Sequence, residues 1–348
     1  MKNLKRLSLL SSCLFIVFIL FASCKKDKIP NYTVNNNETV PCESFNWGEQ
    51  IISLDQYYGD TLYEEPCFNP FTDDELIYVR KISGSSPELV KHTISTGEDQ
   101  VLCTSYETGG LPLGSPDWGK QGKVIFNVGT GSSGIGYIIN DDGSGLQQFL
   151  PSNVNFTKPK FNGYGNKIIG GGTTLSDYYG PIYNLSADIV DSIPFRLQSN
   201  KYGVGAPNWF SGEFIDGLFS YGDFSKTPME TGLCYIESDT IVVPILTATT
   251  PEGYTLTSVG KYQNLIYYVL YGLGFYQYDE ITGTTTLLQE MCDTRKILNI
   301  SVSQISGNIL IEELHNSKIS ESGGVLVQAN IYLLNPYTME KTSILVEK

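Results

Sequence analysis

Arginine and histidine are scarce in this 348-residue chain, and charge of either sign is thin: only Arg80, Arg196 and Arg295 follow residue 23, the histidines are His92 and His315, and 17% of residues are charged. Scattered arginine excludes a nucleic-acid groove, which needs clustered cations to neutralise phosphates. It also excludes an arginine triad that would clamp a substrate carboxylate. Neither histidine neighbours a GxSxG turn, so a Ser-His-Asp hydrolase would lack its base. His92 reads as a strand residue beside Lys91, and His315 as part of the polar loop 312–317. No stretch after residue 30 has 3.6-residue periodicity, which removes helical folds. What is present is apolar and aromatic: 41% hydrophobic residues, with 23 Tyr and 16 Phe, enough for a large core and too many for a disordered chain. Net charge is −14, and the three cations and no acid of residues 1–23 leave −17 on the remainder.

Residues 1–23 read as an export signal. Lys2, Lys5 and Arg6 precede an uncharged run from Leu7 to Ser23, the basic and apolar regions of a signal peptide. Phe21-Ala22-Ser23-Cys24 resembles the bacterial lipobox, which implies acylation of Cys24 and cleavage before it. Acyl chains on Cys24 would anchor the protein stably. Residues 24–44 form a polar tether, and residues 45–348 one domain. The resemblance implies a Gram-negative outer-membrane lipoprotein. The flank Lys25-Lys26-Asp27-Lys28 leaves periplasmic or surface display open.

Once Cys13 leaves with the signal and Cys24 is acylated, five cysteines remain: Cys42, Cys67, Cys103, Cys234 and Cys292. They contain no CxxC pair, and an odd number leaves at least one thiol unpaired. Pairing stays open, with Cys234 and Cys292 expected as buried structural cysteines.

From about residue 65 a pattern recurs: a Pro or aromatic near a turn, a β-branched strand, a second strand often centred on Tyr, and a closing apolar strand. Taking Ile77, Ile125, Ile169, Ile215, Ile266 and Leu310 as equivalent positions gives six copies at intervals of 44 to 51 residues. Such a period with four short strands per unit predicts an all-β fold, a six-bladed β-propeller with four-stranded blades. Ser115-Pro116-Asp117 and Asp142-Gly143-Ser144-Gly145 resemble the TolB-like propeller repeat, and the resemblance implies the same six-bladed ring. Residues 45–64 fall outside the copies and are expected to help close the ring against the last blade.

Several motifs have simpler readings than their chemistry suggests. Gly129-Thr130-Gly131-Ser132-Ser133-Gly134 spells GxGxxG, but another apolar strand follows it rather than a helix, so it reads as a hairpin loop. Asn140 to Gly145 lacks the spaced oxygen ligands of a calcium loop and reads as a turn. A Ca2+ ion in the channel remains a minor alternative, and no other cofactor or metal is expected. Candidate ligand contacts are Asp117, Trp118, Asp142 and Asp279, with Tyr178, Tyr179 and Tyr271 as loop aromatics able to stack on a glycan or protein. The reading is a membrane-anchored binding or scaffold module for envelope proteins or glycans. The alternative is a carbohydrate-active hydrolase or lyase, which needs two carboxyls about 5–10 Å apart in one cleft. Cys24→Ala is expected to leave the precursor unacylated and to change its membrane fractionation. Fatty-acid labelling of the variant as strong as that of the parent would refute the lipobox.

Overall fold

The computed structural model describes residues 56–129, 134–171, 180–193, 202–208, 218–223, 230–238, 241–249, 256–292, 294–318 and 325–346. Among them, regular structure is strand except for one 3-10 turn at Ser105–Thr108. After β1 (Gln56–Tyr58), the chain builds one sheet at a time. The first holds β2 (Thr61–Phe68), β3 (Glu75–Ile82), β4 (Glu88–Thr93) and β5 (Glu98–Thr104). The second holds β6 (Leu113–Gly119), β7 (Lys123–Val128), β8 (Ile135–Asn140) and β9 (Gln147–Gln148). The third holds β10 (Thr157–Phe161), β11 (Lys167–Gly171), β12 (Gly180–Asn184) and β13 (Ile189–Ile193). The fourth holds β14 (Tyr202–Asn208), β15 (Leu218–Asp223), β16 (Glu230–Ser238) and β17 (Ile241–Thr249). The fifth holds β18 (Leu256–Tyr262), β19 (Leu265–Leu270), β20 (Gly274–Asp279) and β21 (Thr284–Glu290). All five are four-stranded, with strands antiparallel in sequence order, the blades of a β-propeller.

The expectation of six four-stranded blades needs correction. Five such blades are present, and the last copy of the repeat becomes a five-stranded composite sheet drawn from both ends of the described chain. It contains β22 (Arg295–Val302), β23 (Ile309–Lys318), β24 (Val325–Asn335) and β25 (Glu340–Leu345), with β1 added. The reason lies in strand length. β25 pairs antiparallel with Ile331–Asn335 only, so the first residues of β24 would be a bare edge, and β1 covers Val325–Val327 in parallel register. Gly59 extends the ladder by donating its N–H to the Val327 carbonyl.

Five of the six anchor positions, Ile77, Ile125, Ile169, Ile266 and Leu310, fall in the second strand of their sheets; Ile215 lies outside the described residues. These second strands explain the continuous apolar runs, because both of their faces are buried. In β7, Val124, Phe126 and Val128 pack toward the first blade, while Ile125 packs toward the third. In β19, Ile266, Tyr268 and Leu270 face the fourth blade, while Tyr267 and Val269 face the composite sheet. Period-2 alternation thus divides each strand between two neighbours. The tyrosines of this region are mostly core, as a half-buried pleated surface favours: Tyr267 and Tyr268 are fully buried, and Tyr276 stacks on Tyr268 at 5.3 Å.

The GxGxxG run joins the antiparallel pair β7 and β8, with residues 130–133 outside the described set. His315 is a second correction. It lies inside β23 rather than in a loop, because ladder pairing with Gln328 on β24 overrides the polar composition of 312–317. Cys67 and Cys103 are free, whereas Cys292 is disulfide-bonded and half-buried rather than buried as expected; Cys234 has no described side-chain burial.

The terminal strand is fastened by more than its ladder. Leu345 packs among Tyr78, Leu310 and Ile331, between the composite sheet and the first blade. Lys341 Nζ reaches Glu313 Oε2 at 2.5 Å, and the Glu313 side chain is 1% exposed. Burial holds the Lys341 ammonium below its usual value even with Glu313 beside it. A chain ending at Glu340 would lose roughly 1.5–3 kcal/mol from Leu345 burial alone. It would also leave Glu313 without its lysine, a loss of order 3–5 kcal/mol when a buried pair is broken. Thermal melts of the full chain and of a chain ending at Glu340 should differ by many degrees. Equal melting temperatures would show that β25 does not hold the composite sheet.

Candidate functional site at the channel mouth

The first strands lie side by side: β2 beside β6, β6 beside β10, β18 beside β22, and β22 beside β2. Each strand from β2 through β22 that starts a sheet carries a register shift against its partner. In three of them the irregularity has one form. Glu65, Ser115 and Lys158 sit at φ values of 54°, 48° and 46°, each directly before a proline, Pro66, Pro116 or Pro159. Proline cannot donate to a ladder and is tolerated in a strand at such bulges. Left-handed backbone at a non-glycine residue costs on the order of 1–3 kcal/mol. Ser115-Pro116-Asp117 therefore lies within β6 and bends it.

Two residues past each bulge point, the side chains converge. Asp117 takes a hydrogen bond from Lys160 Nζ at 2.9 Å on Oδ1 and from the Phe161 N–H at 2.7 Å on Oδ2. The Cys67 thiol lies 3.8 Å from Oδ1. Cys67, Asp117 and Lys160 come from equivalent positions on three successive blades. Burial pushes the Cys67 thiol up to about 12, aided by the Asp117 charge, so it is a thiol and not a nucleophile at neutral pH. Burial opposes the Lys160 charge, yet the carboxylate of Asp117 beside it holds its pKa above the usual value. Above this group opens a cavity of about 410 Å3 at the C-terminal ends of the first strands, with Phe68, Phe161 and Val302 among its walls and Tyr164 at its rim.

The bulge residues form a second polar layer deeper in the channel. Glu65 accepts from the Ser115 N–H, while its own N–H donates to Glu312 Oε2 at 2.8 Å. Asn299 Nδ2 donates to the same oxygen at 2.5 Å. Burial raises Glu65, and burial together with the Glu65 charge pushes Glu312 up to about 8, so Glu312 carries a proton at neutral pH. Glu312 is 2% exposed and turned into this network. The neighbouring Glu313 behaves oppositely. Burial works against its charge, but hydrogen bonding from His315 and the charge of Lys341 hold it down to about 2.

Of the candidate ligand contacts, Asp117 and Trp118 line the cavity, the Trp118 ring packing between the first and second blades. The remaining candidates are elsewhere. Asp142 is exposed in the β8–β9 turn, where its bonds with Ser144 lower its pKa. Asp279 ends β20 and is lowered by Asn264 and the Ile281 N–H. Tyr271 sits at the other end of the sheet, beneath Lys296 at 5.5 Å. Tyr178 and Tyr179 lie outside the described residues. His92 is buried, with Nδ1 2.8 Å from Asp99, in the first blade. Lys160, Glu65 and Glu312 were missed. A signal for the first two existed: Glu65-Pro66-Cys67-Phe68, Ser115-Pro116-Asp117-Trp118 and Lys158-Pro159-Lys160-Phe161 share one spacing of proline and aromatic. Among the described residues, no three His, Cys, Asp or Glu side chains gather as a metal site.

No known family profile matches the chain, and no curated protein matches it. Solved structures do. TolB from Acinetobacter baumannii is similar with a TM-score of 0.53 and 12% identity, over 83% of this chain and 65% of that one. Kuenenia stuttgartiensis hydrazine synthase gives 0.52 and 13%, over 83% and 45%. Pyrococcus horikoshii acylaminoacyl peptidase gives 0.50 and 10%, over 82% and 52%. The chain thus spans about half to two thirds of the length of these proteins. At such identity the likeness is one of fold, the β-propeller, and fold does not carry function.

The two glutamates make opposite pH contributions. Glu312 has a folded pKa above its unfolded value, so its contribution is fully present below about pH 4.5 and is lost as pH rises through about 8. Glu313 has a depressed folded pKa, so its contribution is present above about pH 4.5 and is lost as pH falls toward 2. Glu312→Gln should therefore melt higher than the parent at pH 9 and lose the decline between pH 6 and 9. A parallel decline in parent and variant would show that Glu312 is not the titrating group.

Proposed function

We propose that the protein is a membrane-anchored binding module that seats part of an envelope protein at the channel mouth. The cavity over Asp117 and Lys160 carries this reading, because its surroundings combine depth with exposed apolar groups. Phe71, Tyr164 and Ile305 are 65%, 58% and 49% exposed, in three loops at the mouth end of β2, β10 and β22. Exposed aromatics around a concave polar floor are what protein and glycan sites share.

The path of the chain supports the anchor. β2 and β22 run toward the mouth, so β23 runs away from it and β24 starts at the far end. β1 pairs with that start, Val325–Val327. Gln56, where the described chain begins, therefore lies at the end opposite the mouth. An acylated Cys24, followed by residues 25–55, would hold the protein to the outer membrane and leave the mouth unobstructed.

The enzymatic reading has one observation in its favour, the carboxyl pair Glu65 and Glu312 with one proton held near neutrality, a property of acid–base sites. The geometry counts against it. The Glu312 oxygen facing this pair is taken by Asn299 and the Glu65 N–H, and the residue is all but closed to solvent.

Photo-crosslinking in cells separates the ends of the channel. A photoreactive residue at Tyr164 or Gln304 should capture a partner, whereas one at Ser85 or Tyr271, at the opposite end, should not. Adducts from the opposite end alone, or from neither end, would overturn the proposal.

A further inference from the structure

Resting on that reading, we infer that the channel mouth recognises a free carboxylate, namely the C-terminal carboxyl of an extended polypeptide whose last side chains are apolar. The hydrogen-bonding inventory of the cavity supports this. Its carboxylate and asparagine acceptors are occupied. Asp117 takes Lys160 and the Phe161 N–H, Asn69 takes the Phe71 N–H, and Asn162 takes the N–H groups of Asn166 and Lys167. Donors are in surplus. Lys160 spends one of its three N–H bonds on Asp117. Ser301 Oγ accepts from the Phe68 N–H at 3.2 Å, and no acceptor lies on its own hydrogen among the described residues. Lys120, also lining the cavity, is exposed and without a partner among the described residues.

A ligand matched to such a site offers acceptors and few donors. A carboxylate does so, and it binds best where the donors are cationic. Sugar hydroxyls are poorly matched, since each brings a hydrogen that needs an acceptor, and few side-chain acceptors remain on the lining, Gln304 Oε1 and the Tyr164 hydroxyl among them. Charge agrees: two lysines and one aspartate line a cavity in a protein with 37 acidic and 23 basic residues. The apolar walls at Phe68, Phe161 and Val302 suit a terminal aliphatic or aromatic side chain. Phe71, Tyr164 and Ile305 occupy loops of three different sheets. The residues preceding the terminal one in an extended peptide would lie across these loops.

The test uses the full chain on paired arrays of pentapeptides, attached through their N-termini and randomised at the last three positions, one array with free carboxyl ends and the other amidated. The same chain is titrated with tetragalacturonate. Retention on free-carboxyl peptides with apolar last residues, about tenfold weaker on their amides and on Lys160→Met, is the expected result. Because Lys160→Met removes the partner of Asp117, the exposed substitution Lys120→Ser accompanies it and should weaken binding without changing the melting temperature. Equal retention of acid and amide overturns the carboxylate inference while mouth binding stands. Binding of tetragalacturonate without peptide retention overturns the peptide and leaves a mouth ligand. Retention of nothing on either array, with no tetragalacturonate binding, overturns both readings.

Discussion

A sheet whose second strand is apolar on both faces cannot stand alone, and this requirement organises the molecule. Val124 and Phe126 need the first blade, and Ile125 needs the third. Each sheet is thus half of two cores, and satisfying the last requires bringing it against the first. Phe68, Leu76 and Tyr78 of the first blade meet Leu310, Ile331 and Leu345 of the composite sheet for that reason. Large side chains pass between blades where a neighbour is small. Phe156 lies so close to Gly136 and Gly170 that a Cβ on either would fall within about 2.5 Å of its ring.

The same arrangement frees the first strands for other work. Their outer neighbours supply stability, so residues facing the channel are free to differ from blade to blade. The bulge keeps its geometry across three blades while its occupants change from Glu65 to Ser115 to Lys158, and from Cys67 to Asp117 to Lys160. A repeated backbone device presenting unlike side chains makes an asymmetric site from a near-symmetric frame. The strained φ values are offset by packing on either side, the usual circumstance in which such strain persists.

What could be read from the sequence followed the same division. Interblade packing imposes a period on the chain, so the second strands, the hairpin at Gly129 to Gly134 and the propeller itself were legible. Of the residues lining the cavity, Asp117 and Trp118, at a familiar repeat, were the ones singled out from the sequence. Lys160 meets Asp117 across neighbouring blades, 43 residues apart, and Glu312 meets Glu65 over 247 residues, through closure of the ring. His315 looked like loop because its neighbours are polar, yet a strand buried beside ions can be polar too: Glu312 and Glu313 are both inside. Residues 45–64 were expected to help close the ring, and β1, which lies among them, pairs with β24; its parallel place in a five-stranded sheet was not readable. β1 is three residues long, and nothing in Gln56-Tyr57-Tyr58 announces a parallel partner far down the chain.

That short strand also decides how the molecule bears load. β1 runs along β24 with its N-terminal end directed away from the mouth, so tension on the upstream chain acts along the strand axis. The hydrogen bonds of the β1 ladder, including that from the Gly59 N–H to Val327, are then strained together rather than broken one after another. A peeling geometry would concentrate the force on a single bond at a time. Among the described residues, sliding resistance therefore belongs to the first seam that a pull from upstream meets.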